Sequence, residues 1–272
     1  MKKSTMAVLT SLGAAGAWCL ALKPRVNHPG WDSLSGVRYA HRGLHNLEEG
    51  RPENSLAAFR AAVERGFGAE LDVHLMSDGK LAVVHDSNLK RVCGKSVHIE
   101  DLTAEDLPDY PLQDTAETIP LLEDVLALFE GKTPLVVELK VERGNADELT
   151  DTAMSLLRRW NGTYCIESFH PAVLLRLKEK YPNVIRGQLS TNFMIGKALP
   201  LHQRIIMTYL LTTGLTKPDF IAYSWQDRGN ISLRLMKKLY NVHEVAWTVR
   251  DRDTMEMLDA DGVTSIFEKF VP

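Results

Sequence analysis

The chain has 272 residues, 44% of them hydrophobic and 25% charged, so it can bury the core of one large domain or two small ones. Its 32 Lys and Arg residues nearly balance 35 Asp and Glu residues, and without a basic stripe the net charge of −3 argues against nucleic acid as a partner. The three cysteines form no CxxC pair, which argues against a disulfide framework and against a thiolate zinc site.

An apolar segment begins the chain. Residues 6–22 carry no charge, and basic residues flank them on both sides. A membrane-spanning helix needs about 17–25 such residues, so the segment predicts a membrane anchor, with secretion after cleavage of a signal as the alternative. We therefore expect residues 1–23 to be an anchor or signal and residues 24–36, which contain Pro and Gly, to be a linker. The folded domain would then occupy residues 37–272.

Beyond the linker, apolar runs rich in Val, Ile, Tyr and Phe alternate with amphipathic runs. The first pattern predicts strands at 37–41, 69–75, 81–85, 135–139, 164–169, 184–189, 220–224, 242–249 and 263–267. The second predicts helices at 55–65, 122–129, 147–160, 171–181, 231–240 and 254–260. Such alternation over this length favours an α/β fold, an eight-stranded (β/α)8 TIM-type barrel. Nine candidate strands are one too many, and the repeat fails between Asp72 and His85, where the connection is too short for a helix.

Two stretches do not fit the repeat. Residues 94–118 are strongly acidic and are interpreted as a solvated insertion. Residues 199–215 are apolar and irregular, with too few uninterrupted apolar residues to span a bilayer. They either rest on lipid headgroups or pack their apolar face inward.

Polar side chains lie at or near the ends of several of the predicted strands. They are His41, Glu70, Asp72, His85 and Glu138. Alternation along a strand places Glu70 and Asp72 on the same face, and residues that follow the strands of an α/β barrel line its active site. Three carboxylates without a thiolate favour a hard divalent cation, Ca²⁺ or Mg²⁺. Two histidines beside them suit acid–base catalysis, because histidine titrates near neutrality.

Further residues bear on the substrate. Arg42 and Lys140 place positive charge beside the acids, which suits an anionic substrate and most naturally a phosphate ester. Glu53 and Asn54 either begin the helix at Ser55, since Asn and Ser are preferred caps, or support the site from behind. Trp247 is either a core residue or a wall of the substrate pocket.

Short motifs with chemistry-bearing residues recur in order along the chain. They are His41-Arg42-Gly43, Pro52-Glu53-Asn54-Ser55, Glu70-Leu71-Asp72-Val73, Ser77-Asp78-Gly79, His85-Asp86 and Glu138-Leu139-Lys140, with weaker matches at Ser168-Phe169 and Trp247-Thr248-Val249. In this ordered set the chain resembles the glycerophosphodiester phosphodiesterase family over residues 37–267. The resemblance implies a PLC-like phosphodiesterase barrel that hydrolyses glycerophosphodiesters to an alcohol and glycerol 3-phosphate. It also implies a divalent cation held by Glu70, Asp72 and Glu138, with His41 and His85 as acid and base.

The resemblance departs at the carboxyl terminus. The family usually closes with a Gly-Val-Asp-Gly-Ile…Thr-Asp…Pro run, whereas residues 262–272 read GVTSIFEKFVP and lack the aspartates and the Thr-Asp pair. Two alternatives stay open: a lysophospholipase D or phospholipase-like lyase acting on membrane lipids, and a catalytically silent barrel that acts as a binding protein. We expect a small-molecule or lipid phosphodiester as substrate and a membrane contact through residues 6–22; from the sequence we infer no protein partner.

Overall fold

The strands form a closed barrel. The computed structural model describes residues 16–196 and 199–272. Its strands are β1 (Tyr39–His41), β2 (Gly68–Leu75), β3 (Leu81–Val83), β4 (Leu135–Leu139), β5 (Tyr164–Ser168), β6 (Arg186–Ser190), β7 (Phe220–Ser224), β8 (His243–Val249) and β9 (Thr264–Phe267). They lie in the order β1-β9-β8-β7-β6-β5-β4-β2-β3, and a further β1–β2 pairing closes eight parallel strands into a ring. The predicted eight-stranded α/β barrel is confirmed.

One strand, β3, lies outside the ring of eight. β3 pairs antiparallel with β2, with Val73 opposite Val83. The chain reverses between them over a short turn in which Gly79 takes a φ of 78°, a conformation that glycine adopts without steric cost. A hairpin therefore replaces a crossover at the point where the sequence repeat fails.

Helices follow most of the barrel strands. They are α1 (Leu56–Glu64), α2 (Lys90–Cys93), α3 (Leu122–Phe129), α4 (Ala146–Leu157), α5 (Pro171–Lys180), α6 (Leu201–Thr208), α7 (Thr213–Thr216), α8 (Ile231–Tyr240) and α9 (Arg252–Ala260). Short 3₁₀ helices occur at Trp31–Ser33, Leu47–Glu49, Ile99–Asp101, Ala104–Asp109 and Trp225–Asp227. All six predicted helices are present. The sequence did not predict α2, α6 and α7. Helices α2 and α7 have only 4 residues each, too few to show a clear 3.6-residue period, and α6 lies in the stretch 199–215, whose sequence pattern is irregular.

Side chains alternate between the two sides of each barrel strand. In β4, Val137 packs in the layer between barrel and helices, whereas Val136 belongs to an apolar cluster inside the barrel. Glu138 follows on the inner side, two residues further along. β5 repeats the pattern, with Cys165 in the inner cluster and Glu167 beyond it. The inside of the barrel is therefore apolar towards the amino ends of these strands and acidic towards their carboxyl ends.

Residues 24–36, expected to be a linker, are packed against the barrel. Trp31 and Leu34 are buried in the inner apolar cluster, and the Trp31 ring stacks on His243 with 4.4 Å between centroids. The Arg25 guanidinium is ion-paired with the buried Asp219 carboxylate. These apolar and ionic contacts bind the segment to the amino-terminal end of the barrel, so it does not act as a free tether.

The expected anchor, residues 6–22, lies mostly outside the described residues. Its last part is described: residues 16–21 are helical, and Leu22 is fully buried beside Tyr223 and Met236. The Tyr240 hydroxyl donates a hydrogen bond of 2.8 Å to the Cys19 carbonyl. Among the described helices, we find none with the length and apolar character needed to span a bilayer.

The acidic stretch 94–118 is not a solvated insertion throughout. Its apolar side chains Ile99, Leu107 and Leu112 are buried in a satellite cluster with Val84, which precedes His85. The acidic side chains Glu105, Asp109 and Asp114 are exposed. The buried apolar side chains share the satellite cluster with Met76 and Ala82 of the β2–β3 hairpin. This packing holds the residues that follow β3 against the barrel.

Candidate active site

Three carboxylates meet inside the barrel at its carboxyl end. Glu70 and Asp72 lie on the inner side of β2, and Asp72 is the register partner of Glu138 on the neighbouring β4. All three are buried, and one oxygen atom of each lies within 4.8 Å of the others. Burial, together with the neighbouring Asp72 charge, raises the pKa of Glu70 well above its usual value. Burial also raises the pKa of Glu138 to about 7.

Two cations offset part of this negative charge. Lys140 Nζ lies 2.9 Å from Asp72 Oδ1 and 2.7 Å from Glu138 Oε2. Arg42 Nε lies 3.4 Å from Asp72 Oδ2. Although burial acts in the opposite direction, Lys140 and Arg42 hold the pKa of Asp72 well below its usual value. Two predicted phosphate-binding cations and three predicted metal ligands therefore share one site.

The loop after β1 has an unusual backbone that aims Arg42 at the cluster. Arg42 and Gly43 take φ values of 57° and 76°. A Cβ on Gly43 would lie 2.9 Å from the Ala58 carbonyl carbon, so only glycine lets the loop pack on α1. The Arg42 backbone N–H donates 3.0 Å to Glu70 Oε2, and its Nη1 donates 2.7 Å to Glu53 Oε1.

Asn54 supports the site from behind rather than capping α1. The cap is Ser55, whose hydroxyl accepts a hydrogen bond from the Ala58 N–H. Asn54 is buried, and its Nδ2 donates 2.9 Å to Asp72 Oδ2. Glu53 contacts both Arg42 and Arg91. Both residues thus hold a charged group of the site in place.

His41 is held by a residue that the sequence reading had not singled out. Its Nδ1 donates 2.7 Å to Glu268 Oε2, and its Nε2 lies 3.9 Å from Glu70 Oε2. Burial lowers the pKa of His41, and the hydrogen bond to Glu268 opposes that shift. Glu268 follows β9, in the run that departs from the family's closing motif.

His85 is held by its sequence neighbour. Its Nδ1 donates 2.6 Å to Asp86 Oδ1, and Arg91 Nε donates 2.5 Å to the other oxygen of that carboxylate. Burial lowers the pKa of His85, while the Asp72 charge opposes the shift. This pairing leaves Nε2 of His85, like that of His41, as the ring nitrogen that the orienting carboxylate does not hold.

His74 contacts the segment that carries His85. It is buried, its Nδ1 lies 2.6 Å from Glu100 Oε1, and its Nε2 lies 3.2 Å from the His85 carbonyl oxygen. These two contacts join the His74 ring to Glu100 and to the backbone after β3. The Glu100 carboxylate also accepts a hydrogen bond from Ser87. Glu100 comes from the acidic stretch and thus helps to hold the segment after β3.

A cavity of about 430 Å³ opens beside the carboxylates. Glu138 and Lys140 line one part of it, and Ile206, Met207 and Leu210 line another. The stretch 199–215 therefore forms an apolar wall of this cavity. Trp247 is not part of that wall; its ring packs edge-to-face against Phe169, which lines the cavity, with 5.9 Å between centroids.

Two carboxylates of this region escaped the sequence reading. One is Glu268, and the other is Glu167, which is fully buried on β5 opposite Glu138. Glu167 ends an apolar run as Glu138 does, so the same pattern could have found it. Nothing in the local sequence distinguishes Glu268 from a surface acid, because its partner His41 lies 227 residues away.

The geometry agrees with a comparison with known proteins. Residues 41–271 match the model of the glycerophosphoryl diester phosphodiesterase family. The chain belongs to this family. Membership confirms the predicted family and the predicted enzyme class, a glycerophosphodiester phosphodiesterase.

Individual relatives give the same result. A glycerophosphodiester phosphodiesterase of Caldanaerobacter subterraneus is 29% identical over 84% of this chain and 91% of its own length. The human lysophospholipase D GDPD1 is 35% identical over 40% of this chain and 38% of its own. A similar partial match, with 44% of that protein covered, is found with a Bacillus altitudinis enzyme.

A solved structure confirms the barrel fold. An Oleispira antarctica phosphodiesterase, determined in complex with sn-glycerol-3-phosphate, superposes with a TM-score of 0.68 at 22% identity. The match covers 87% of this chain and 94% of that chain.

Proposed function

We propose that this phosphodiesterase hydrolyses glycerophosphodiesters to an alcohol and glycerol 3-phosphate with the help of a divalent cation. One observation carries the proposal: two histidines, each oriented by a carboxylate on Nδ1, lie at a cluster of three buried carboxylates and two cations. The carboxylates suit a metal, the cations suit a phosphate, and the histidines suit proton transfer.

The carboxylate cluster fits a hard cation. Glu70, Asp72 and Glu138 offer oxygen ligands, and the described residues include no thiolate or histidine in the same candidate metal cluster. Burial raises the pKa of both glutamates, and the neighbouring Asp72 charge adds to the rise, so a bound cation would favour their ionised forms. Ca²⁺ or Mg²⁺ on these three residues would polarise the phosphoryl oxygens. These three carboxylates suit either ion, because both prefer oxygen ligands.

The remaining residues of the site divide the chemistry. Arg42 and Lys140 hold the phosphate charge, and they stabilise it as it grows in the transition state. One histidine takes the proton of the attacking hydroxyl, and the other gives a proton to the departing alcohol oxygen. The attacking hydroxyl is either water or the substrate's own glycerol 2-hydroxyl, which would give a cyclic phosphate first.

The test is hydrolysis of a panel of glycerophosphodiesters by enzyme dialysed against a chelator, with and without added cations. We expect activity to disappear on chelation and to return with Ca²⁺ or Mg²⁺. Glu138→Gln, which removes one ligand charge at constant size, should raise the cation concentration needed for half-maximal activity. Glu123→Gln, an exposed residue on α3, is the control. Full activity after exhaustive chelation, or rescue by Zn²⁺ alone, would contradict the proposal.

A lysolipid is the second candidate substrate. The apolar wall formed by Ile206, Met207 and Leu210 continues from the phosphate-binding Lys140, which suits an acyl chain next to a phosphodiester. A soluble headgroup needs no such wall. The human lysophospholipase D relative is consistent with this candidate, although it matches only part of the chain.

The wall can be tested without unfolding the barrel. Leu210 is 1% exposed, so a charge there would disturb the core, whereas Ile206 is only half-buried. We expect Ile206→Glu to lower kcat/KM for lysolipids by roughly 10–200-fold, the range for hydrophobic pocket contacts, and to spare glycerophosphodiesters. Ile205→Glu is the matched control, because Ile205 is exposed and does not line the cavity. Equal losses on both substrates would make the wall a structural element.

We also propose that residues 6–22 attach the enzyme to a membrane. The uncharged run and the described part of it support this: Leu20 is 69% exposed, and an apolar recess lies between Trp18, Tyr209 and Leu211. Deletion of residues 2–15 should move the enzyme to the soluble fraction with activity retained. The deletion must end there, because Leu22 is buried against the barrel. An uncleaved full-length chain in the soluble fraction, or a cleaved chain in the medium, would contradict the anchor.

A further inference from the structure

Glu268 lies where the chain differs from the closing motif of its family. It directly follows β9, and Ala40 is the register partner of Phe267. The next pair along these two parallel strands is therefore His41 and Glu268. The Glu268 backbone N–H donates 2.9 Å to the Val249 carbonyl, which fixes the end of β9 to β8.

The Glu268 carboxylate is held on both of its oxygen atoms. Oε2 accepts the 2.7 Å hydrogen bond from His41 Nδ1 and lies 3.7 Å from His45 Nε2. Oε1 accepts a hydrogen bond of 2.8 Å from Arg250 Nε. The side chain is only 9% exposed, so water competes little for these contacts. A carboxylate held in this way is a fixed acceptor rather than a mobile surface charge.

This contact determines which nitrogen of His41 is available for chemistry. An ionised carboxylate can only accept, so Nδ1 must carry the hydrogen. Nε2 is then the free nitrogen, and it points towards the carboxylate cluster, 3.9 Å from Glu70 Oε2. Without the contact the imidazole could rotate, and either nitrogen could carry the hydrogen.

We propose that Glu268 is the positioning residue of His41: it fixes the orientation and the tautomer of the ring, so that Nε2 faces the reacting phosphodiester. The inference rests on the proposed catalytic role of His41. It gives the altered carboxyl-terminal run a function, because the residue that replaces the family's usual pattern supplies this carboxylate.

The experiment compares Glu268→Ala and Glu268→Gln with His41→Ala and with Lys269→Gln, a change at the exposed next residue. We expect both Glu268 variants to lower kcat by roughly 10–100-fold, as loss of a partner that orients a site histidine does, with KM changed less than about threefold. Lys269→Gln should leave both constants unchanged. Thermal unfolding of each variant checks that the fold is retained, and Glu268→Gln keeps the size of the side chain if Glu268→Ala is too unstable.

A second readout reports on the ring itself. In ¹⁵N spectra of the histidine side chains, we expect His41 to be the Nδ1–H tautomer in the wild-type protein and a mixture of tautomers in Glu268→Ala. An unchanged tautomer, or unchanged kcat in both Glu268 variants while His41→Ala is inactive, would overturn the inference alone. Unchanged turnover in His41→Ala would overturn the proposed mechanism and the inference together.

Discussion

The site contains two histidine arms, each made of a histidine, the carboxylate that accepts its Nδ1–H and an arginine that holds that carboxylate. Each ring donates Nδ1 to a carboxylate that an arginine also holds: His41 to Glu268 with Arg250, and His85 to Asp86 with Arg91. The first arm joins residues 227 positions apart, whereas the second joins sequence neighbours. The His41 side chain is 14% exposed and that of His85 is 35% exposed.

This difference shows how one chemical arrangement can depend on two levels of structure. The His41 arm exists only because β1 and β9 close the barrel, and burial shields it from water. The His85 arm needs only a short segment after β3, which the satellite cluster and the His74–Glu100 contact hold in place. Electrostatic contacts weaken with solvent exposure, so the arms should differ in how much each carboxylate contributes.

The largest effects should come from the histidines themselves. We expect His41→Ala and His85→Ala each to lower kcat by about 10²–10⁴, the usual effect of losing a general acid or base. A glycerophosphodiester with a 4-nitrophenol leaving group separates the two roles, because a good leaving group needs no proton. One variant should recover activity on this substrate and the other should not. Recovery of both, or of neither, would contradict a division into acid and base.

The next largest effects on kcat should come from the two orienting carboxylates, Glu268 and Asp86, and they test directly whether burial makes the two arms differ. We expect Asp86→Ala to lower kcat by less than about 10-fold, below the range of 10–100-fold for a well-buried orienting partner. Water can replace the half-exposed Asp86 oxygen more easily than the buried oxygen of Glu268. Steady-state kinetics on one glycerophosphodiester measures both. If Asp86→Ala lowers kcat as much as Glu268→Ala does, burial does not make the two arms differ.

A smaller effect should appear in the titration of the rings. The hydrogen bonds that His41 and His85 donate to Glu268 and Asp86 raise the pKa of each ring, against the lowering caused by burial. Removing the charge should therefore lower each pKa further below 6.5. At His41 the contact that raises the pKa most is the one with Glu268, whereas at His85 it is the Asp72 charge and not Asp86. Glu268→Gln should therefore lower the pKa of His41 by more than Asp86→Asn lowers that of His85. Histidine ring NMR signals followed against pH in metal-free protein measure both shifts; a rise at either ring would contradict the assignment.

The smallest effects should come from the arginines. Arg250 is half-exposed, and an exposed ion pair contributes about 0–1 kcal/mol, so Arg250→Ala should lower kcat by less than about fivefold. Arg91→Ala should have a somewhat larger effect and should also raise KM, because Arg91 holds Glu53, the partner of Arg42. A large loss of kcat in Arg250→Ala would contradict this ranking and show that Glu268 depends on the exposed Arg250 to hold His41.

The sequence alone specified those features of the protein that depend on residues close together along the chain. Alternation placed Glu70 and Asp72 on one face, apolar runs between helices predicted the barrel, and the short motifs indicated the family. His85 and Asp86 are adjacent, so their contact was within reach of the sequence as well. Residues 24–36 show the opposite case: their composition suggested a linker, but burial of Trp31 and Leu34 depends on the open end of a barrel that only the folded chain has.

Tertiary structure alone decided which distant residues complete the site. Glu268 reads as an ordinary acid in an atypical run, and Leu210 reads as one more apolar residue of an irregular stretch. Barrel closure brings the first to His41, and chain packing places the second in the wall of the cavity beside Lys140. For Glu268 the physical reason is the closure of the sheet. A parallel barrel pairs strands from opposite ends of the chain, so contacts across its seam leave no periodic signal in the sequence.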